Sequence, residues 1–139
     1  MTFNSEFFQK QEFDFTTIRR YFNMIKADLE ISHSNLEPRV KFQFAYSALI
    51  KCGITLMATL NYRVKSKEGH HVFIIENLSE ILDDNDILKI GNDMRLNRNK
   101  DMYKELIIPT ETELNSYLKF VDDVFSKTEE YLLKQKHLF

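Results

Sequence analysis

The chain has 139 residues, a length typical of one domain. Hydrophobic residues make up 43% of the chain and charged residues 29%, which excludes a wholly disordered chain. The net charge of −2 excludes a strongly basic nucleic-acid-binding domain, although a local basic patch is compatible with it. Only three glycines and two prolines are present, too few turn-forming residues for a sandwich or barrel of many strands. We therefore expect an all-α fold.

The same composition argues against several other kinds of site. Cys52 is the single cysteine, which excludes an intrachain disulfide and a cysteine-rich metal site. The adjacent His70 and His71 would point about 100° apart on a helix and so could not chelate one ion together. We expect no metal and no cofactor.

The N-terminus lacks the pattern of a signal peptide, and the longest apolar stretch, 44–60, is too short and too polar to span a membrane, which predicts a cytoplasmic protein without membrane contact.

Residues 1–13 are predicted to form an arm, and residues 14–139 one helical domain. Four phenylalanines lie among the polar residues of the arm, which favours a flexible segment or a short helix packed on the rest of the chain: Phe3, Phe7, Phe8 and Phe13. Helix one is predicted to begin after Asp14, a good N-cap, and its apolar residues keep helical spacing until about His33.

Helix two is predicted to begin at Pro38, which suits a first helical turn, and to end near Leu60. Its apolar residues lie on most of its circumference, a pattern typical of a central, buried helix. Gly53 stands in its middle, where glycine costs about 1 kcal/mol relative to alanine unless a neighbour packs closely. We therefore expect another helix to cross near Gly53.

A basic loop over 63–69 is expected next, followed by helix three over 70–82. The alternative for the start of helix three is a short strand over 72–75, although the residues after it do not continue an alternating pattern. Helix four is predicted to follow the acidic turn 83–86, whose carboxylates complement the positive end of a helix, and to become polar from Arg95 onward.

Helix five is the clearest of the predicted helices. Thr110 and Glu113 have the spacing of a capping box, and apolar residues keep helical period from Leu114 to Leu132. Five helices joined by short loops predict an antiparallel, up-and-down helical bundle.

The polar half of helix four carries the candidate site. Arg95, Asn99 and Tyr103 are spaced i, i+4 and i+8 and so form one stripe, with Arg98 beside it. Two guanidiniums, an amide and a phenol can bind a phosphate, because each guanidinium donates to two oxygens and the phenol adds a donor. The alternative is a solvent-exposed helix end whose arginines pair with nearby carboxylates, those of Asp93, Asp101 and Glu105.

Two features of the chain resemble the HEPN domain family of small all-α proteins. The first is a central helix rich in Ala, Tyr and Ser followed by a basic loop, over 44–71. The second is the late-helix signature of Arg, a polar residue, three variable residues and His. Here the signature has Arg98 followed by Asn99, and Tyr103 stands where the family has His. The resemblance covers about residues 14–135 and is consistent with a long closing helix.

The resemblance implies a homodimer whose two motifs meet across a cleft, acting in a toxin–antitoxin or phage-defence system. Members with the full signature are often metal-independent endoribonucleases, in which Arg polarises the scissile phosphate and His acts on the 2′-hydroxyl or the leaving group. Those catalytic roles would fall here to Arg98 and Tyr103. A phenol, with a pKa of about 10, is a poor general base at pH 7. Other members lack nuclease activity and pair with a small nucleotidyltransferase.

Three functions therefore stay open, and with them the question of whether the chain is an enzyme. The first is a non-catalytic component that binds a nucleotide or an RNA phosphate and pairs with a nucleotidyltransferase or an antitoxin protein. The second is a metal-independent endoribonuclease, for which His70 or His71 could approach the cleft from a neighbouring helix. The third is a helical module that binds a protein partner and has no ligand site.

Overall fold

The computed structural model describes residues 3–66, 69–102 and 109–135, and the side chains of 100–102 are not described. About three quarters of the described residues are helical, which confirms the predicted all-α fold. The described residues form five helices, α1 (Phe15–Ser32), α2 (Pro38–Thr59), α3 (His70–Leu82), α4 (Asn85–Met102) and α5 (Glu111–Lys134). They also form two short strands, β1 (Phe8–Lys10) and β2 (Tyr62–Val64).

Two of the helices, α1 and α5, begin where a side chain caps the first backbone N–H groups. The side chain of Asp14 accepts a hydrogen bond from the backbone N–H of Thr17 at 2.7 Å and so caps α1. At the start of α5, the Thr110 hydroxyl accepts from the backbone N–H of Glu113 at 3.1 Å, and the Glu113 carboxylate accepts from the Thr110 N–H at 3.2 Å. The predicted capping box is therefore confirmed.

The second helix, α2, is the central element of the core. It packs against the other four helices, and its buried residues lie around most of its circumference, as predicted. A Cβ added at Gly53 would lie 2.5 Å from Cγ2 of Ile74 and 3.1 Å from the Ile74 carbonyl oxygen. The absence of a side chain at Gly53 thus lets α3 cross α2 closely, and the predicted crossing is confirmed. Residues 70–82 are helical throughout, so the strand alternative over 72–75 was wrong.

The N-terminal arm contains a strand, where a flexible segment or a short helix was expected. β1 pairs antiparallel with β2, with Phe8 opposite Val64 and Lys10 opposite Tyr62. Because β2 includes Arg63 and Val64, the basic loop predicted over 63–69 begins after the strand instead. The physical reason is burial, since the aromatic rings of the arm leave water when its backbone pairs with β2.

Aromatic contacts attach the arm to the helical core of the same chain. Phe8 is buried, and the ring of Phe7 stacks on that of Phe73 with centroids 4.2 Å apart. The ring of Phe3 stacks on that of Tyr62 at 4.0 Å. The arm thereby covers one side of α3 and of the turn that follows α2.

Candidate phosphate-binding site

Three of the four predicted site residues lie together on α4. Arg95, Arg98 and Asn99 are each half-buried, and their spacing of three and four residues places them on one side of the helix. The Nε of Arg95 donates to Oδ1 of Asn92 at 3.2 Å. The fourth predicted residue, Tyr103, lies outside the described residues. Among the described side chains no ion pair involves either arginine, so Asp93 does not pair with them. The other two carboxylates of the alternative interpretation, those of Asp101 and Glu105, lie outside the described side chains.

The apolar stripe of α4 explains where Arg98 lies. Ile87, Gly91 and Met94 are buried and spaced i, i+4 and i+7, so this face of α4 packs into the core. Arg98 follows Met94 by four residues and therefore continues the same face by one turn. Its guanidinium consequently lies at the edge of the core, against a buried aromatic ring of α2.

That ring belongs to Tyr46, which was not predicted as a site residue. The Cζ of Arg98 lies 5.6 Å from the centroid of the Tyr46 ring, within the range of a cation–π contact. The Tyr46 hydroxyl makes a hydrogen bond of 2.8 Å with Nδ1 of His71, near the start of α3. Three helices thus contribute one side chain each to a connected group, the Tyr46–His71–Arg98 cluster.

Burial, more than the nearby charges, sets the protonation of the two neutral members of this cluster. Burial raises the pKa of Tyr46 to about 12, against the lowering effect of Arg98 and Arg95, so the phenol is protonated at pH 7. Burial, then His70, Arg98 and Arg95, lower the pKa of His71 to about 4, so its imidazole is neutral at pH 7. We assign Tyr46 as the donor to Nδ1 and the His71 proton to Nε2, because a neutral imidazole offers one acceptor nitrogen and the protonated phenol offers an O–H.

His71 is the histidine that comes close to the predicted arginines. The ring of His70 lies beside it, with centroids 4.6 Å apart. From the sequence alone, His70 and His71 were equal candidates to approach the arginines from a neighbouring helix. The contact between α2 and α3 selects His71, because only its ring is hydrogen-bonded to Tyr46 among the described contacts.

The cluster has the chemistry of an anion site. Two guanidiniums provide paired donors, the Nε2–H of His71 and the amide of Asn99 provide further ones, and the Tyr46 hydroxyl is already used by His71. The positive charges that lower the pKa of His71 would be offset by a bound anion. We therefore expect an oxyanion such as phosphate to bind here and to raise the pKa of His71 toward its ordinary value.

Other chemistries find no support among the residues that the structure describes. Within 3–66, 69–102 and 109–135, no three His, Cys, Asp or Glu side chains are grouped to hold a metal ion. Cys52 is buried, and burial raises the pKa of its thiol to about 12, which disfavours the reactive thiolate. The described helices include none with both the length and the apolar character needed to cross a bilayer.

Comparisons with protein-family models, with curated proteins and with solved structures gave no significant match to this chain. The function of the chain is therefore inferred from the geometry of the site and from the physical chemistry of its residues.

Proposed function

We propose that this chain is a HEPN-like, non-catalytic component of a toxin–antitoxin or defence system that binds a nucleotide or an RNA phosphate. The binding residues are Arg95, Arg98 and Asn99, with Tyr103 as the fourth member of the sequence signature. One observation supports this proposal above the others. Arg98 lies over the ring of Tyr46, which is hydrogen-bonded to the neutral His71, and no carboxylate among the described side chains pairs with Arg95 or Arg98.

The positive charges of the two arginines support an anionic ligand, because an anion would lower the electrostatic free energy of cations near the half-buried His71. The two arginines disfavour a proton on His71, which shows that their fields act on the same region. Arginine holds phosphate through two parallel hydrogen bonds, and each charge-assisted hydrogen bond contributes about 1.5–3 kcal/mol. Loss of one such contact should weaken phosphate binding about tenfold to a hundredfold.

The test is calorimetric titration of the purified protein with inorganic tripolyphosphate. We expect saturable binding that Arg98→Ala weakens by about tenfold or more and that Arg98→Lys restores only in part, since an ammonium lacks the two-pronged contact. Lys89→Ala is the matched control, because Lys89 is an exposed cation on the same helix. Equal weakening by Lys89→Ala would indicate a general effect of charge and would contradict the proposed site.

A homodimer and a partner protein belong to the same proposal. The resemblance to the HEPN family supports a dimer in which two copies of the site face each other, and a small nucleotidyltransferase or an antitoxin protein as the partner. A cytoplasmic location fits these roles. Co-expression with the product of an adjacent gene, followed by size-exclusion chromatography of the mixture, would reveal a stable complex.

The position of His71 supports one second candidate, a metal-independent endoribonuclease. Its imidazole is neutral at pH 7, and a bound phosphate would raise its pKa toward the range in which histidine transfers protons. In this function Arg98 would polarise the scissile phosphate, and His71 would take the proton-transfer role that the signature leaves to Tyr103.

Incubation of mixed RNA with the protein in the presence of a chelator separates the two functions. The non-catalytic proposal predicts no cleavage at all. Cleavage that disappears in both Arg98→Ala and His71→Asn would establish the endoribonuclease instead. The His71→Asn variant keeps an acceptor for the Tyr46 hydroxyl but cannot transfer a proton near pH 7.

A further inference from the structure

A concave site lies between the N-terminal arm and one face of α3, and it has a volume of about 220 Å³. Four side chains of α3 line it at positions i, i+3, i+4 and i+7, and so lie on one face of that helix: Phe73, Glu76, Asn77 and Glu80. The arm forms the other side, where the ring of Phe7 stacks on that of Phe73 with centroids 4.2 Å apart. We refer to this site as the arm–α3 cavity.

Two carboxylates of the arm–α3 cavity have no basic partner among the described side chains. Glu76 and Glu80 are both exposed and lie one helical turn apart, and neither belongs to an ion pair there. The ammonium of Lys65, which follows β2, donates instead to the backbone carbonyl oxygen of Ser5 at 2.7 Å. Like charges at this spacing destabilise a helix, so a cation bound between the two glutamates would relieve their repulsion.

A buried amide is a second and independent sign of a ligand at the same place. Asn77 is only 6% exposed, and its Nδ2 donates to the backbone carbonyl oxygen of Phe73 at 2.8 Å. Its Oδ1 has no hydrogen-bond partner among the described residues. In that part of the chain every fully buried side-chain nitrogen or oxygen has a partner, so Oδ1 is not fully buried. Because Asn77 lines the arm–α3 cavity, the unpartnered oxygen is accessible from it.

These groups accept hydrogen bonds and therefore match a ligand that donates them. An ionised carboxylate only accepts, and Oδ1 of Asn77 is also an acceptor. An arginine guanidinium has five N–H donors and no acceptor, and it holds carboxylates through paired hydrogen bonds that an ammonium cannot make. Its methylene chain can pack along the stacked rings of Phe7 and Phe73, as long basic side chains do on apolar surfaces.

We propose that the arm–α3 cavity binds the side chain of an arginine on a partner protein, with the guanidinium at Glu76 and Glu80 and the methylene chain against Phe73. Small-ligand pockets usually have volumes of about 300–1,000 Å³. A cavity of about 220 Å³ therefore fits the end of one side chain better than a whole metabolite. None of its lining residues belongs to the Tyr46–His71–Arg98 cluster, so the two sites can be tested separately.

Nuclear magnetic resonance titration of the full chain with short peptides tests the arginine site. The probe is a capped pentapeptide with one arginine between two pairs of glycines. The same peptide is compared with citrulline, which has the shape of arginine without its charge, and with lysine in the central position. We expect saturable shifts at the amides of Glu76, Asn77 and Glu80 with the arginine peptide, weaker binding of the lysine peptide and no binding of the citrulline peptide.

The carboxylates can be neutralised without changing the size of their side chains. Glu76→Gln combined with Glu80→Gln should weaken binding of the arginine peptide by about fivefold or more, because both exposed ion pairs with the guanidinium are lost. Glu12→Gln combined with Glu30→Gln is the matched control, since these glutamates are also exposed and lie outside the cavity. The control makes the same change in net charge and should leave the affinity unchanged.

The inference is overturned if the arginine peptide causes no saturable shifts, if the citrulline peptide binds as tightly, or if the lysine peptide does. An equal affinity of the natural chain and the Glu76→Gln, Glu80→Gln variant would also overturn it, as would an equal loss of affinity in the control. Ethylguanidinium is the small-molecule arm, and we expect it to bind more weakly than the peptide because its chain is too short to pack along Phe73. If it binds as tightly or more tightly, the ligand is a free cation and not an arginine of a partner protein.

Discussion

Among single residues, His71 is the one whose protonation reports on the site, because burial and neighbouring charges both lower its pKa. Burial is the largest cause of its lowered pKa, and three positively charged or ionisable neighbours lower it further. At a pH near 6.5, where an ordinary histidine gains a proton, His71 is still neutral. Its protonation is therefore coupled both to the stability of the fold and to any anion that binds at Arg98.

The lowered pKa of His71 predicts a loss of stability in mild acid. The folded state has a pKa of about 4 at His71, against 6.5 for the ordinary group, so the unfolded state binds more protons between these values. The free energy of unfolding should consequently fall as the pH decreases from about 6.5 to about 4. We expect a fall on the order of 1 kcal/mol, less than the full pKa difference implies, because the half-exposed side chain is partly screened by solvent.

Chemical denaturation at pH 6.5 and pH 4.5 measures this effect. His71→Asn should show a smaller decrease than the natural chain. This window lies above the range where Asp14 and Asp84 contribute, because hydrogen bonds from Thr17 and Lys127 lower the pKa of each below 3.8. Equal pH dependence in both proteins would mean that His71 does not titrate as the geometry requires.

Local sequence predicted part of this site and missed the rest for a physical reason. Arg95, Arg98 and Asn99 are close in sequence, so helical periodicity alone places them together. Tyr46 lies on a helix with apolar residues around most of its circumference and therefore has the pattern of an ordinary core residue. Its pairing with His71 depends on the packing of α3 on α2, which periodicity does not encode.

At the scale of elements, signals contained within a few residues predicted the helices, and long-range pairing determined the strands. The capping box and the positions of Pro38 and Gly53 are local signals. The structure has the capping box at α5, Pro38 at the first turn of α2 and the close helix crossing at Gly53. β1 and β2 have three residues each and lie about fifty residues apart, so neither is long enough to show an alternating pattern. The burial of Phe8 selects the pairing, and burial is a property of the whole fold.

The close crossing of α2 and α3 predicts different costs for alanine at two glycines. At Gly53 an added Cβ would meet a branched side chain and a backbone carbonyl of Ile74, at 2.5 and 3.1 Å. We expect Gly53→Ala to lower the free energy of unfolding by about 1–3 kcal/mol. At Gly91 the nearest atom is Cγ2 of Ile75 at 3.0 Å, and the gain of about 1 kcal/mol in helix propensity offsets this contact.

Thermal and urea unfolding of the two variants provide the comparison. Gly91→Ala should differ from the natural chain by less than Gly53→Ala does. Equal destabilisation by both would contradict the idea that the crossing at Gly53 is the tighter one.

The capping box of α5 predicts a second effect on stability. Thr110→Ala removes the acceptor for the Glu113 N–H and should cost about 1 kcal/mol, whereas Thr110→Ser keeps the hydroxyl and should cost much less. Urea denaturation of the two variants measures the difference. If the serine variant lost as much stability as the alanine variant, the side-chain cap would not be the cause.

For the whole molecule, two exposed leucines of α4 bear on assembly. Leu88 and Leu96 are 38% and 49% exposed and lie eight residues apart on α4, the helix that also presents Arg95 and Asn99. Burial of large exposed apolar side chains favours an interface. A twofold dimer across α4 would bring two copies of the proposed site together.

We therefore expect a dimer of twice 16.6 kDa by light scattering at micromolar concentration. Leu96→Glu should shift the protein to the monomer, because it places a charge in the interface. Lys119→Glu on α5 is a control on a different helix. A mass of one chain for the natural protein would contradict the dimer.

Phosphate binding at the Tyr46–His71–Arg98 cluster is best tested by a phosphate titration followed by nuclear magnetic resonance. Isotope-labelled protein would be titrated with tripolyphosphate while the signals of the histidine rings and arginine side chains are recorded. We expect saturable shifts at Arg95, Arg98 and His71, and a rise in the pKa of His71 from about 4. Saturable shifts elsewhere, such as at the lysines of α5, or an unchanged His71 pKa, would contradict it.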